Sequence, residues 1–125
     1  MPTLDQERAA FAWEKVSDCD PRWMSEYTNL AKAAPALIMN NGLMQTLAYY
    51  QSKEKGQHLA LSRNLFSWLG SGRNGAGGML GLQNPDYDSI MKALYEMDSE
   101  KYRRATEESL ALLRWIRQFA SVRMR

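Results

Sequence analysis

The C-terminal stretch of this chain constrains its fold more than any other. Between about Ser99 and Ser121, the residues Tyr102, Ala105, Ser109, Leu112, Leu113, Ile116, Phe119 and Ala120 return every three or four positions. At about 100° per residue they occupy one broad sector of a helix. A long helix with one apolar side is stable in water only if other elements cover that side, so the remainder of the chain must supply them. Asp98-Ser99 offers its cap.

The upstream sequence supplies more helices. Thr3 caps a first helix from Leu4 to about Ser17, with Gln6 placed to close a capping box and Ala9, Phe11, Ala12, Trp13 and Val16 as a loose apolar stripe. Ser17-Asp18-Cys19-Asp20 reads as a break. Asp20-Pro21 restarts a helix on which Trp23, Tyr27, Leu30 and Ala34 share a face. Pro35 ends or kinks that helix and opens a third, to about Gln51, apolar nearly all round and therefore expected to be central and buried. Within it, Gly42 calls for the close approach of a second helix. A fourth helix runs from about Gln57 to Leu69, with Leu61, Leu65, Trp68 and Leu69 to one side, and a short fifth from Asn84-Pro85 to about Met97. No stretch alternates with period two and no repeat is visible. The expected fold is all-α, a compact bundle of about six helices in one domain over residues 1–125, with residues 70–83 as a flexible Gly-rich loop.

Composition matters for what it excludes. An apolar fraction of 45% rules out general disorder. One cysteine, Cys19, permits no intrachain disulfide and suits a reducing, intracellular setting. No leader-like segment opens the chain, and no run nears the roughly 18 apolar residues of a membrane span, so a cytoplasmic protein with no membrane partner is expected. With a single His (His58) beside that cysteine, a Cys/His zinc site lacks ligands, and a Cys-His nucleophile would need the two to meet in space. The run from Gly72 to Gly78 lacks the Lys-Ser/Thr and preceding strand of a phosphate loop, although an exposed Arg73 could touch a phosphate. Asp86 and Asp88 suit a helix start better than a calcium loop. No catalytic residue, metal or cofactor is expected.

Charge is the remaining signal. Residues 1–100 carry nine Lys/Arg against twelve Asp/Glu, whereas residues 101–125 carry seven against two. On the last helix Arg103, Arg114 and Arg117 lie within about 60° of one another, roughly opposite the apolar sector, and Arg123 and Arg125 extend the charge. Two readings stand. Arg103–Glu107 and Arg104–Glu108 pair along a solvated face, where late arginines also suit the helix dipole. Alternatively the ridge binds a polyanion without sequence preference. Lys53, Lys55 and Arg63 form a second basic group around the fourth helix. Trp13, Trp23 and Trp68 sit on or beside apolar stripes and read as core; Trp115, off its stripe, reads as core edge or partner contact.

Two segments, Pro35-Ala36-Leu37-Ile38-Met39-Asn40-Asn41-Gly42-Leu43-Met44-Gln45-Thr46-Leu47-Ala48-Tyr49-Tyr50 and Tyr102 through Ala120, with Leu65-Phe66-Ser67-Trp68-Leu69 between them, cover about a third of the chain. In order and spacing they resemble the small helical subunit of the type III-B CRISPR (Cmr) RNA-silencing effector complex. The resemblance implies a non-catalytic subunit that stacks beside the backbone subunits and neighbouring copies of itself, with guide RNA and target RNA as further partners. It also implies that cleavage belongs to the backbone subunits. Asn41, Gly42, Leu43, Leu47, Thr106, Glu107, Leu112, Trp115 and Phe119 match fold-defining positions of that family. Lys53, Arg114 and Arg117 match its basic positions and, with Lys55, Arg63 and Arg103, are the candidate RNA contacts. The type III-A small subunit, a helical DNA-binding regulator and an unrecognised small enzyme are the competing expectations.

Overall fold

The structure is a computed structural model, and it describes residues 1–124. Six α-helices follow one another: α1 (Leu4–Ser17), α2 (Met24–Asn41), α3 (Leu43–Lys53), α4 (Gly56–Gly70), α5 (Tyr87–Glu96) and α6 (Ser99–Arg123). A 3₁₀ turn over Pro21–Trp23 leads into α2. No β-strand occurs among the described residues, so the all-α expectation holds.

Local chemistry explains most of the helix starts. Thr3 and Gln6 close a reciprocal capping box, the Gln6 amide donating to Thr3 Oγ1 at 3.1 Å and the Thr3 amide to Gln6 Oε1 at 2.6 Å. Asp86 caps α5 in the same way with Ser89, and Asp98 accepts from the Lys101 amide at the head of α6. Asp20 caps the 3₁₀ turn, with Pro21 as its first residue.

The break between α2 and α3 is not where the proline suggested. Pro35 lies inside α2, and the chain turns at Gly42. Pro35 removes one helical hydrogen bond, which costs about 3 kcal/mol in an isolated helix. Burial of Ala31, Ala34 and Ile38 to either side keeps the helix continuous through it. Gly42 has φ 89° and ψ 159°, a conformation open essentially to glycine alone. The Tyr102 hydroxyl on α6 reaches this break and accepts from the Met44 amide at 3.0 Å. An amide of the α3 N-terminus that has no partner within the helix is thereby satisfied from across the fold. The close approach expected at Gly42 is not found: a Cβ there would meet the Tyr102 hydroxyl at an ordinary 3.6 Å, and it is the backbone conformation that calls for glycine.

Nor is α3 buried all round. Leu43, Thr46, Leu47 and Tyr50 face inward, while Tyr49, and Met39 at the end of α2, are exposed. The deepest helix is α4, whose Leu61, Leu65, Trp68 and Leu69 are fully buried. Helix α6 packs against α1, α2 and α4, and the buried residues of all six helices belong to one core.

The Gly-rich segment after α4 folds back on that helix. The amides of Gly78, Leu80 and Leu82 donate to the carbonyls of Trp68, Leu69 and Gly70 at 2.7, 2.9 and 2.8 Å. These are carbonyls that a helix end otherwise leaves without partners. Glycine is required by space at several points, Gly77 and Gly72 among them. A Cβ at Gly77 would stand 2.8 Å from the Trp68 ring, and one at Gly72 only 2.0 Å from the Ala76 carbonyl oxygen.

Candidate nucleic-acid interface

The surface of interest is the outward side of α6 and the α1 edge beside it. Beside the apolar packing of α1 on α6, a half-buried ionic cluster ties the two helices together. Arg8 of α1 forks onto Glu108, Nε to Oε1 at 2.6 Å and Nη2 to Oε2 at 2.8 Å, with both side chains less than a fifth exposed. The Trp68 indole N–H donates to the same Glu108 carboxylate at 2.8 Å, so α1, α4 and α6 meet at one acid. Burial pushes the Glu108 carboxyl up, but the Arg8 and Trp68 hydrogen bonds together outweigh it and hold the pKa below its ordinary value. Close by, the Trp115 indole N–H donates to Asp5 at 3.0 Å; that bond, ahead of those from Arg8, holds the Asp5 carboxyl down despite some desolvation.

Glu108 therefore pairs with Arg8 rather than with Arg104, the neighbour its spacing suggested. The i,i+4 spacing puts the pair within reach, but a half-buried bidentate partner on α1 competes better than an exposed one. Arg104 is left exposed, without an ion pair among the described residues. Arg73 is likewise no loop-tip phosphate contact. It bonds Glu7 at 2.6 Å and Glu14 at 2.9 Å, pinning the Gly-rich segment to α1.

The six predicted contacts separate into two groups. Arg103, Arg114 and Arg117 are all exposed on α6. Arg103 is bound to Glu100 at 2.6 Å and lies 3.7 Å from Glu107, so its charge is partly matched within the helix, as the solvated-face reading expects. Arg114 and Arg117 make no ion pair among the described residues. Lys53 and Lys55 bracket the α3–α4 turn, with Lys53 Nζ 5.3 Å from the Tyr49 ring centroid. Arg63 lies further along α4, exposed, between one hollow that holds Asp86 and Asp88 and another that holds Asp18 and Asp20. The turn and α6 are separate basic groups, and Arg63 has acids to either side. Arg125 lies outside the described residues.

The aromatic side chains also divide. Trp68 is core, Trp23 is half-buried, and Trp115 is a core-edge residue tied to Asp5. Trp13, expected in the core, is 44% exposed. Its ring stands edge-on to Phe119 with centroids 5.3 Å apart, and the Arg123 guanidinium lies 5.0 Å from its centroid. The α1 stripe passes beside Trp13, and its helix places Phe11, Ala12 and Val16 inward instead.

Little in the structure favours nucleophilic chemistry. The Cys19 thiol is pushed up by burial and by Asp20, which disfavours the thiolate. His58 packs edge-on to Tyr50, and burial followed by Lys53 and Lys55 lowers its pKa. Among the described residues no three His, Cys, Asp or Glu side chains gather where a metal ion could sit, and no helix is long and apolar enough to cross a membrane.

Comparison with known proteins agrees with this architecture. The sequence model of a family described as "CRISPR-associated protein (Cas_Cmr5)" matches residues 4–122. The "CRISPR system Cmr subunit Cmr5" of Thermus thermophilus is 31% identical over 121 residues, covering 96% of this chain and 95% of the relative. The crystal structure of a CRISPR-associated Cmr5 family protein from the same organism superposes with a TM-score of 0.77 at 31% identity, over 98% of this chain and 97% of that one. With the match running from the first helix to the end of the last, the chain belongs to the Cas_Cmr5 family of CRISPR-associated proteins.

Proposed function

We propose that this protein is the non-catalytic small subunit of a Cmr effector complex. It docks beside backbone subunits and neighbouring copies of itself, and contacts guide or target RNA through the outward arginines of α6. Its near full-length relative is a Cmr subunit. One observation carries the RNA contact. Arg114 and Arg117 are exposed and form no ion pair among the described residues, Asp5 feeling the charge of Arg114 only at longer range, on a helix whose other side is locked into the core. An unpaired guanidinium on a rigid helix releases counterions when it meets phosphate and gives up no existing salt bridge. Arg103 differs, because Glu100 and Glu107 compete for it.

The test is RNA affinity of the complex as a function of salt. Replacing Arg114 and Arg117 together by Ala is expected to weaken binding and to flatten the log–log salt slope by roughly 0.7 for each phosphate no longer neutralised. Arg103→Ala is expected to do less. An unchanged slope in the double variant would leave the ridge as solvated surface. The purified chain is expected to leave RNA intact with or without divalent metal; cleavage by it would revive an enzymatic role.

A further inference from the structure

Two features of the α1–α6 edge extend beyond the arginine ridge. The first is a row of three aromatic rings at the surface. Trp13 meets Phe119 at 5.3 Å, and Phe119 meets Trp115 at 5.5 Å. Trp115 is fixed through its hydrogen bond to Asp5, and Phe119 is half-buried, so Trp13 is built on a rigid base. Yet Trp13 itself stays 44% exposed, with Val122 and Met124 exposed on the last turn of α6. The second feature is charge. From Ser109 to Arg125 the sequence holds four arginines and no acidic residue. One of them, Arg123, lies across the Trp13 ring with no carboxylate partner among the described residues.

Trp13, seated edge-on against Phe119, thus offers an exposed aromatic ring and a free cation to the same visitor. A protein segment could use the rings, and any polyanion could use the charge. A strand whose bases are unpaired uses both, since each nucleotide carries a π face and a phosphate. We infer that Trp13, braced by Phe119 and Trp115 and with Arg123 beside it, is a stacking platform for an unpaired base of single-stranded RNA. The inference rests on the RNA-binding function proposed above and adds to it a preference for single strands, because a duplex hides its base faces.

The experiment uses the full chain, a short oligouridylate and an abasic ribose-phosphate strand of equal length, read by tryptophan fluorescence and anisotropy. Trp13→Ala is expected to weaken oligouridylate binding on the order of tenfold. Its salt slope should match the native chain, because every phosphate-facing cation remains in place. Trp13→Phe should retain most of the affinity, and the abasic strand should bind native and Trp13→Ala chains alike. Circular dichroism checks that the exposed substitution leaves the fold intact, and Arg123→Gln provides a second variant expected to weaken binding. Equal affinity of native and Trp13→Ala chains for oligouridylate would overturn the platform while leaving the arginine contact standing. Loss of protein partners from the complex without loss of RNA affinity would also overturn it, and would assign the rings to a protein interface. Failure of the native chain to bind either strand, both alone and within the complex, would remove the RNA-binding function and this inference with it.

Discussion

At Glu108 one carboxylate joins three helices. It accepts a fork from Arg8 and an indole N–H from Trp68, so its loss strands a guanidinium and an indole donor in half-buried surroundings. Hydrogen bonds to charged groups typically contribute about 1.5–3 kcal/mol. Glu108→Gln keeps an acceptor for Trp68 but not the charge for Arg8, and is expected to lose about 2 kcal/mol in urea unfolding; Glu108→Ala should lose more. The pH dependence has a definite sign. The folded-state pKa is below the ordinary glutamate value of about 4.3, so the unfolded chain takes up the proton first as pH falls. The stabilisation is whole above that ordinary value and disappears as pH drops through the lowered one. Unfolding measured from about pH 7 to about pH 3 should show a shallower acid limb in Glu108→Gln than in the native chain.

At the scale of elements, the α2–α3 junction carries the clearest lesson. A proline and a glycine seven positions apart both threaten a helix, and sequence rules assign the break to the proline. The fold assigns it to Gly42, because apolar residues flanking Pro35 are buried together on α2, and because Tyr102 stands ready to cap α3. Gly42→Ala places a Cβ at φ 89° and is expected to cost about 1–3 kcal/mol. Pro35→Ala should do the reverse. It restores a helix hydrogen bond whose absence costs about 3 kcal/mol, offset by about 1 kcal/mol from a freer unfolded chain, so thermal unfolding should move upward. A drop on Pro35→Ala would mean that the ring's own packing matters more than the missing bond.

For the whole molecule, the Gly-rich segment shows how composition and structure part. Six glycines in twelve residues suggest a flexible connector. In the fold they let the chain run close against Trp68 and return amides to the end of α4, while Arg73 clips the segment to α1. Hydrogen exchange is expected to find the Gly78, Leu80 and Leu82 amides slowed relative to Gly75, which sits at the exposed turn. Exchange at one common fast rate would mean these bonds open freely.

Helix number, most caps and the inward face of α6 were determined by sequence alone, since 3.6-residue periodicity and capping chemistry act over neighbours a few positions apart. So was the basic C-terminal region, together with the segments around Gly42 and Arg114 that resemble the family to which the chain belongs. Tertiary structure alone decided which charges are spent internally. Arg8 and Glu108 are 100 positions apart, and Arg73 and Glu7 are 66 apart. No local rule selects such partners, because ion pairing depends on distance in space and on the loss of water around the pair. The same holds for Trp13. Its place on a stripe is local, but whether the rest of the fold covers that part of the stripe is settled only when α1 and α6 meet.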